Sequence, residues 1–328
     1  MKIAVLGAGA WGTAISSHLA QRHEVTLWVR NAAHFAAMRS ARSNERYLPG
    51  FTLSPGLTLD NELAAAVTGC ELALVAVSTS GLRSTLRRLR EAHGAAPVVW
   101  LCKGFEKDRA KLPHQVCAEE LGASAPCGVL SGPSFAEEVA RGLPTAVTLA
   151  SSDPEFARAA ARHLHSATLR VYSADDVIGV EVAGAVKNVM AIAAGICDGL
   201  DLGLNARAAL ITRGLAEITR LGVRLGGRIE TFIGLAGAGD LVLTCTGDLS
   251  RNRRVGLRLA RGEPLATILA DLGHVAEGVY SAREVARLAR ELAVDMPITG
   301  AVCRVLDDPA AAGAAVKELL QREPKAEY

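Results

Sequence analysis

The residues best placed to do chemistry begin with Lys187. It stands in Val180-Glu181-Val182-Ala183-Gly184-Ala185-Val186-Lys187-Asn188, and its neighbours three, four and seven positions away are Gly184, Ala183, Val180, Met190, Ala191 and Ala194. On a helix those residues form a small, apolar stripe beside the amine. Desolvation there disfavours the ammonium and lowers its pKa toward the range where it gives and takes a proton near neutrality, the profile of a general acid/base. The plainer reading is a lysine that snorkels to solvent from a helix end. Further on, Gly237-Ala238-Gly239-Asp240-Leu241-Val242-Leu243-Thr244 sets an acid in a Gly-rich turn before a short helix. Asp240 could hold the Lys187 ammonium, with Thr244 on the same face, or it could simply cap the helix.

Three further segments carry charge or free backbone donors. Cys102-Lys103-Gly104-Phe105-Glu106 follows an apolar run, where open α/β sheets collect ligands, and brings Lys103 there. Ser131-Gly132-Pro133-Ser134-Phe135-Ala136 closes the next run and offers backbone N–H groups and a hydroxyl, an oxygen-binding lip or an ordinary turn. Ser250-Arg251-Asn252-Arg253-Arg254 combines cations with a helix start for which Ser250 is the candidate N-cap, which makes a phosphate receptor or a wet surface.

The elements that must position these groups are legible as an alternation. Short apolar runs at Ile3–Leu6, Val25–Val29, Leu72–Val77, Val98–Cys102, Gly128–Leu130, Ala146–Ala150 and Leu169–Tyr172 alternate with helical patterns. Their continuous hydrophobicity predicts a doubly wound, Rossmann-type parallel sheet with helices on both faces. After about Ala174 only helical spacing remains, so residues 1–173 read as one α/β domain and residues 174–328 as an all-α domain. The first strand runs into Gly7-Ala8-Gly9-Ala10-Trp11-Gly12. In that context Gly7 serves the tight turn, Gly9 the close approach of a pyrophosphate and Gly12 the packing of helix on strand, and the helix N-terminus faces the phosphates. The second strand ends at Val29-Arg30-Asn31 with no acid for a ribose 2′-hydroxyl. Arg30 can pair with a 2′-phosphate, which points to NADPH alongside NADH, unless it is a solvated surface charge. Lys103 would then reach nicotinamide and substrate.

Composition bounds what else the chain can be. Of 328 residues half are hydrophobic and 21% charged, which excludes disorder as the main state, and a net charge of +2 gives no footprint of nucleic acid or of an anionic membrane. Seven scattered cysteines without a C-x-x-C pair predict reduced thiols in a cytoplasm and no metal site. The first apolar run, from Ile3, breaks into G-A-G-A-W-G without a charged leader and a small-residue cleavage site, so it is expected to be a strand rather than a signal peptide. Val177–Leu200 holds Glu181, Lys187 and Asp198 among glycines and reads as a buried helix rather than a bilayer span.

Taken together, G-A-G-A-W-G-T-A, N-E-R-Y-L-P-G, C-K-G-F-E, S-G-P-S-F-A-E-E, the Lys187-Asn188 helix, G-A-G-D-L-V-L-T-C-T, S-R-N-R-R and H-V-A-E-G resemble, in order, bacterial NAD(P)-dependent glycerol-3-phosphate dehydrogenases. The resemblance spans roughly residues 5 to 285. It implies NAD(P)H-dependent, reversible reduction of dihydroxyacetone phosphate to sn-glycerol 3-phosphate, feeding glycerophospholipid synthesis. It makes Lys187 the proton donor and acceptor, with Lys103 and Asp240 also catalytic. It places Lys103, Gly132, Ser134, Asn188, Asp240, Thr244, Ser250, Arg251 and Asn252 around the substrate. Cofactor contacts would come from Gly7, Gly9, Ala10, Trp11, Gly12, Arg30, Tyr47, Lys103, Ala136, Arg251, Val275 and Glu277. Position 10 departs mildly, since Ser is common there in the family; a backbone contact would cost little and a hydroxyl contact would be lacking. Two other readings stay open: a β-hydroxyacid or 6-phosphogluconate-type dehydrogenase, which also pairs a helix-borne lysine with asparagine, and a dinucleotide-sensing module without turnover. Ala- and Leu-rich helices in the second half admit a homodimer.

Overall fold

The computed structural model describes residues 1–93, 96–272 and 276–323. The chain divides into two compact units, one of Met1–Glu106 and Lys111–Glu181, the other of Lys107–Ala110 and the chain from Val182 onward. The division falls inside a single helix, Val177–Gly199.

The first unit carries ten strands among the described residues: β1 (Lys2–Leu6), β2 (Glu24–Trp28), β3 (Ser43–Asn44), β4 (Leu48–Thr52), β5 (Leu57–Asp60), β6 (Leu72–Val75), β7 (Val98–Trp100), β8 (Cys127–Ser131), β9 (Thr145–Ala150) and β10 (Leu169–Ala174). Eight form one sheet in the order β10-β9-β8-β7-β6-β1-β2-β5, and β3 pairs with β4 in a separate ribbon. Ile3, Val5, Val25, Leu27, Leu72, Leu74, Val99 and Leu130 are buried in its core, because helices cover the sheet. The order reverses between β1 and β6, so the loop after β1 opens at a topological switch point.

Two features of this sheet depart from the expected all-parallel plan. β8 and β9 pair antiparallel, which turns β9 and its parallel partner β10 against the other strands. The connection between β8 and β9, residues 132–144, holds one short helix, Ala136–Ala140, which packs on the helix Ala10–Leu19. The edge strand β5 is not among the expected strands. It is four residues long and follows Pro55-Gly56, a turn that hides so short a run.

The second unit is helical among the described residues. Val177–Gly199 meets the length and mean hydropathy, 1.6, of a bilayer span, contrary to its reading as too polar for one; 89% of that apolar window is buried inside the fold, as in a core helix. Its backbone touches the helix Arg251–Leu259 directly. A Cβ at Gly195 would lie 2.0 Å from the Arg253 carbonyl oxygen, and one at Gly256 2.0 Å from that of Ile192. This crossing brings the start of Arg251–Leu259 against Asn188 of the long helix.

Candidate active site

In the first unit the glycine loop has the form a pyrophosphate requires. Gly7 takes φ +120, open to glycine, and a Cβ there would meet the Ala76 carbonyl oxygen at 2.7 Å. A Cβ at Gly12 would lie 2.0 Å from the Gly7 carbonyl oxygen, so only glycine lets the helix Ala10–Leu19 pack this close to β1. Gly9 differs: a Cβ there meets nothing within 4 Å, so the protein itself does not demand glycine, and the space is open to a ligand. Among the described residues no side chain caps the helix start, and no acid lies in its first turn, which leaves its N–H groups for an anion. Arg30 is exposed at the end of β2, without a bonded partner among the described residues, just before Asn31 caps the helix Ala32–Ala41 through the His34 N–H at 2.8 Å. These residues fit a dinucleotide.

The lip after β8 is tied to that loop. The Trp11 indole N–H donates to the Ser134 carbonyl at 2.9 Å, and the helix Ala136–Ala140 packs on Ala10–Leu19. The Lys103 ammonium and the Ser134 hydroxyl both donate to the Gly132 carbonyl, at 3.1 and 3.0 Å. The Lys103 segment is itself anchored: Arg83 holds Glu106 with two hydrogen bonds, at 2.6 and 2.8 Å, and reaches the buried Glu120 at 2.9 Å. Arg83 is absent from the expected site residues because nothing in R-S-T-L-R-R distinguishes its partners from solvent. Tyr47 is half-buried in the loop after β3, its ring 5.2 Å from that of His34.

In the second unit Lys187, 6% exposed, forms a salt bridge with the Asp240 carboxylate, itself 1% exposed, and donates to the Thr244 hydroxyl at 2.9 Å. Val180, Ala183, Met190, Ala191 and Ala194 around it are all buried. Asp240 follows a π-helical turn, Leu235–Gly239, and opens the helix Asp240–Thr246 with its carboxylate on the lysine. The Thr244 hydroxyl donates back to the Asp240 carbonyl at 2.6 Å, which fixes its lone pairs toward the amine. An ammonium in so dry a place needs this counter-charge. The thiol of Cys245 is pushed up to about 12 by burial, despite the nearby lysine, and stays neutral. Upstream, within the first unit, Glu181 accepts from the His114 backbone and ring. Burial raises the Glu181 carboxyl and opposes the His114 cation, but the carboxylate outweighs that effect and raises His114.

Beside this pair, Asn252 donates to Asn188 at 3.0 Å and accepts from the Gly278 N–H at 3.1 Å. Among the described residues the other N–H of its amide has no acceptor. Ser250 caps the helix Arg251–Leu259 through the Arg253 N–H at 3.3 Å. The three arginines separate: Arg253 is held by Asp198 and Asp248, whereas Arg251 is exposed and without an ion-pair partner among the described residues. Glu277 begins the helix Glu277–Glu291, and Val275 lies outside the described residues.

A doubly wound sheet with a glycine loop open to a pyrophosphate, followed by a helical unit holding a dry lysine–aspartate pair, defines a nicotinamide-dinucleotide oxidoreductase. Residues 2–157 match the N-terminal and residues 176–317 the C-terminal model of NAD-dependent glycerol-3-phosphate dehydrogenase. The chain belongs to that family. It is 61% identical over 331 residues to the glycerol-3-phosphate dehydrogenase (NAD(P)+) of Nitrosospira multiformis, and 59% identical over 327 residues to that of Dechloromonas aromatica, covering all of this chain and 99% of each relative. The crystal structure of glycerol-3-phosphate dehydrogenase from Coxiella burnetii superposes with a TM-score of 0.93 at 44% identity, over 98% of this chain and 99% of that one.

Proposed function

We propose that the chain reduces dihydroxyacetone phosphate reversibly to sn-glycerol 3-phosphate with NADPH or NADH, and so supplies backbones for glycerophospholipids. The observation that carries this reading is the buried Lys187–Asp240–Thr244 cluster in a chain of this family. Residues 1–173 hold the dinucleotide through Gly7, Gly9, Ala10, Trp11, Gly12, Arg30, Tyr47, Lys103 and Ala136; residues 174–328 supply most of the substrate contacts and add Arg251, Val275 and Glu277 to the cofactor contacts.

A bound nicotinamide supplies the hydride. Lys187 donates its proton to the ketone oxygen as negative charge develops there, and recovers it in the reverse direction. Asp240 keeps the amine charged and aimed, and Thr244 fixes its direction. Lys103 adds positive charge near the same oxygen, while Gly132, Ser134 and Asn188 orient the substrate. Arg251, the remaining Asn252 N–H and the helix start at Ser250 take the phosphate; that remote grip aligns the carbonyl.

We further place the enzyme in the cytoplasm as a homodimer, supported by seven scattered cysteines without a C-x-x-C pair and by exposed Leu204, Ile229 and Ile233 on the helical unit. Light scattering tests the dimer. A steady-state assay tests the activity: dihydroxyacetone phosphate should be turned over with NADPH or NADH while a panel of β-hydroxy acids and 6-phosphogluconate is not. Turnover of a hydroxy acid in preference to the triose would reject the reading in favour of its nearest rival, and no turnover at all would favour a sensor.

A further inference from the structure

Asn44 is fully buried, a polar side chain at 0% exposure in the ribbon strand β3. Its amide nitrogen donates to the Ala8 carbonyl at 3.0 Å and to the Thr13 hydroxyl at 2.7 Å. Its oxygen accepts from the His34 Nε2 at 2.9 Å and from the Tyr47 N–H at 3.2 Å. A carboxamide has two donors and two acceptor sites, and all four are used. The arrangement requires His34 to carry hydrogen on Nε2.

Ala8 lies between Gly7 and Gly9. Because a trans peptide points its carbonyl and the next N–H in opposite directions, fastening the Ala8 carbonyl to Asn44 turns the Gly9 N–H away from Asn44. That N–H meets no acceptor among the described residues, and the space beside Gly9 is open. The second donor bond holds Thr13 in the first turn of the helix whose N-terminus faces that space. On its other side the same amide ties down the helix that follows Arg30, through His34, and the backbone of Tyr47. One side chain thus fixes three stretches to which the proposed function assigns the dinucleotide.

We propose that Asn44 is a positioning residue for the dinucleotide: it presents the Gly9 N–H and registers the Arg30 and Tyr47 segments to the glycine loop. The inference rests on the functional reading above. Asn44→Asp keeps the size and both acceptor contacts and removes both donors; Asn44→Ala removes all four bonds. The dissociation constant of NADPH, measured by fluorescence titration without substrate, should rise at least about tenfold in either variant, as the removal of two buried hydrogen bonds implies. At saturating NADPH, turnover and the KM for dihydroxyacetone phosphate should stay within about threefold of wild type. If Asn44→Ala does not fold, Asn44→Asp decides. Unchanged NADPH binding in a folded variant would overturn the inference, as would turnover and both KM values worsening together with the melting temperature. Wild-type protein that binds neither NADPH nor NADH would overturn the functional reading and this inference with it; normal wild-type binding with unaffected variants overturns this inference alone.

Discussion

Replacing Asp240 with asparagine removes one negative charge and little else. The Lys187 ammonium is then left in a site where its side chain is 8% exposed, beside a neutral amide that still accepts its N–H. Breaking a buried ion pair on one side costs about 3–5 kcal/mol. Since about 1.4 kcal/mol is a factor of ten, the cost corresponds to roughly a hundred- to several-thousandfold. The protein can meet it in two ways: by a fall in stability with the lysine still charged, or by losing the proton from Lys187. In the second case ketone reduction loses its proton donor. The sign follows: a carboxylate favours the charged amine, so its removal lets the proton leave at lower pH, and acid restores it. Reduction of dihydroxyacetone phosphate by Asp240→Asn, followed between pH 6 and 9 with saturating NADPH, should fall at least about a hundredfold at pH 8 and recover partly toward pH 6, while NADPH binding is retained. A variant with wild-type rate, wild-type pH profile and unchanged melting temperature would refute the reasoning.

The arginine cluster predicts a contrast. Arg251→Ala should raise the KM for dihydroxyacetone phosphate by about tenfold or more, the size expected when a charge-assisted hydrogen bond is removed, and weaken NADPH as well, with little change in melting temperature. Arg253→Ala should chiefly lower the melting temperature, because Arg253 ties Asp198 to Asp248; the reverse pattern would reassign the two. Arg30→Asp should lose NADPH affinity far more than NADH affinity, and equal losses in titrations with each would remove Arg30 from the 2′-phosphate. Glu217 is buried and accepts from the Ile298 and Thr299 N–H groups at the start of the helix Pro297–Asp307; burial, partly offset by these bonds, raises its carboxyl to about 7. A carboxyl raised in the folded state contributes stability that is full below the unfolded value of 4.5 and is lost as pH rises through about 7, an effect of about 3 kcal/mol. Thermal unfolding of Glu217→Gln should therefore depend less on pH than wild type between pH 4.5 and 8, and identical pH dependence would sink the assignment.

Much of this was legible in the residues themselves. The glycine loop announces itself because each glycine answers a separate steric demand, and Gly7 and Gly12 meet theirs in the fold. Lys187 could be singled out because a helix projects its stripe into sequence at fixed intervals, and Asp240 and Thr244 share a face by the same rule. The reversal of β9 and β10 was not legible, because a connection as long as residues 132–144 can return a strand in either direction and the composition of the two runs is the same in both cases. Asn44 and Arg83 were not legible either. Each is a single polar residue in a polar segment, and its worth lies in partners that are brought to it only by folding: Ala8 and Thr13 for one, Glu106 and Glu120 for the other.

Truncating the amine itself gives the most direct measurement. Lys187→Ala, assayed in single-turnover reduction of dihydroxyacetone phosphate with NADPH, should lose roughly two to four orders of magnitude in rate, the contribution of a positioned acid, while its NADPH dissociation constant stays within about threefold of wild type. A variant that reduces the ketone at near the wild-type rate would contradict the account.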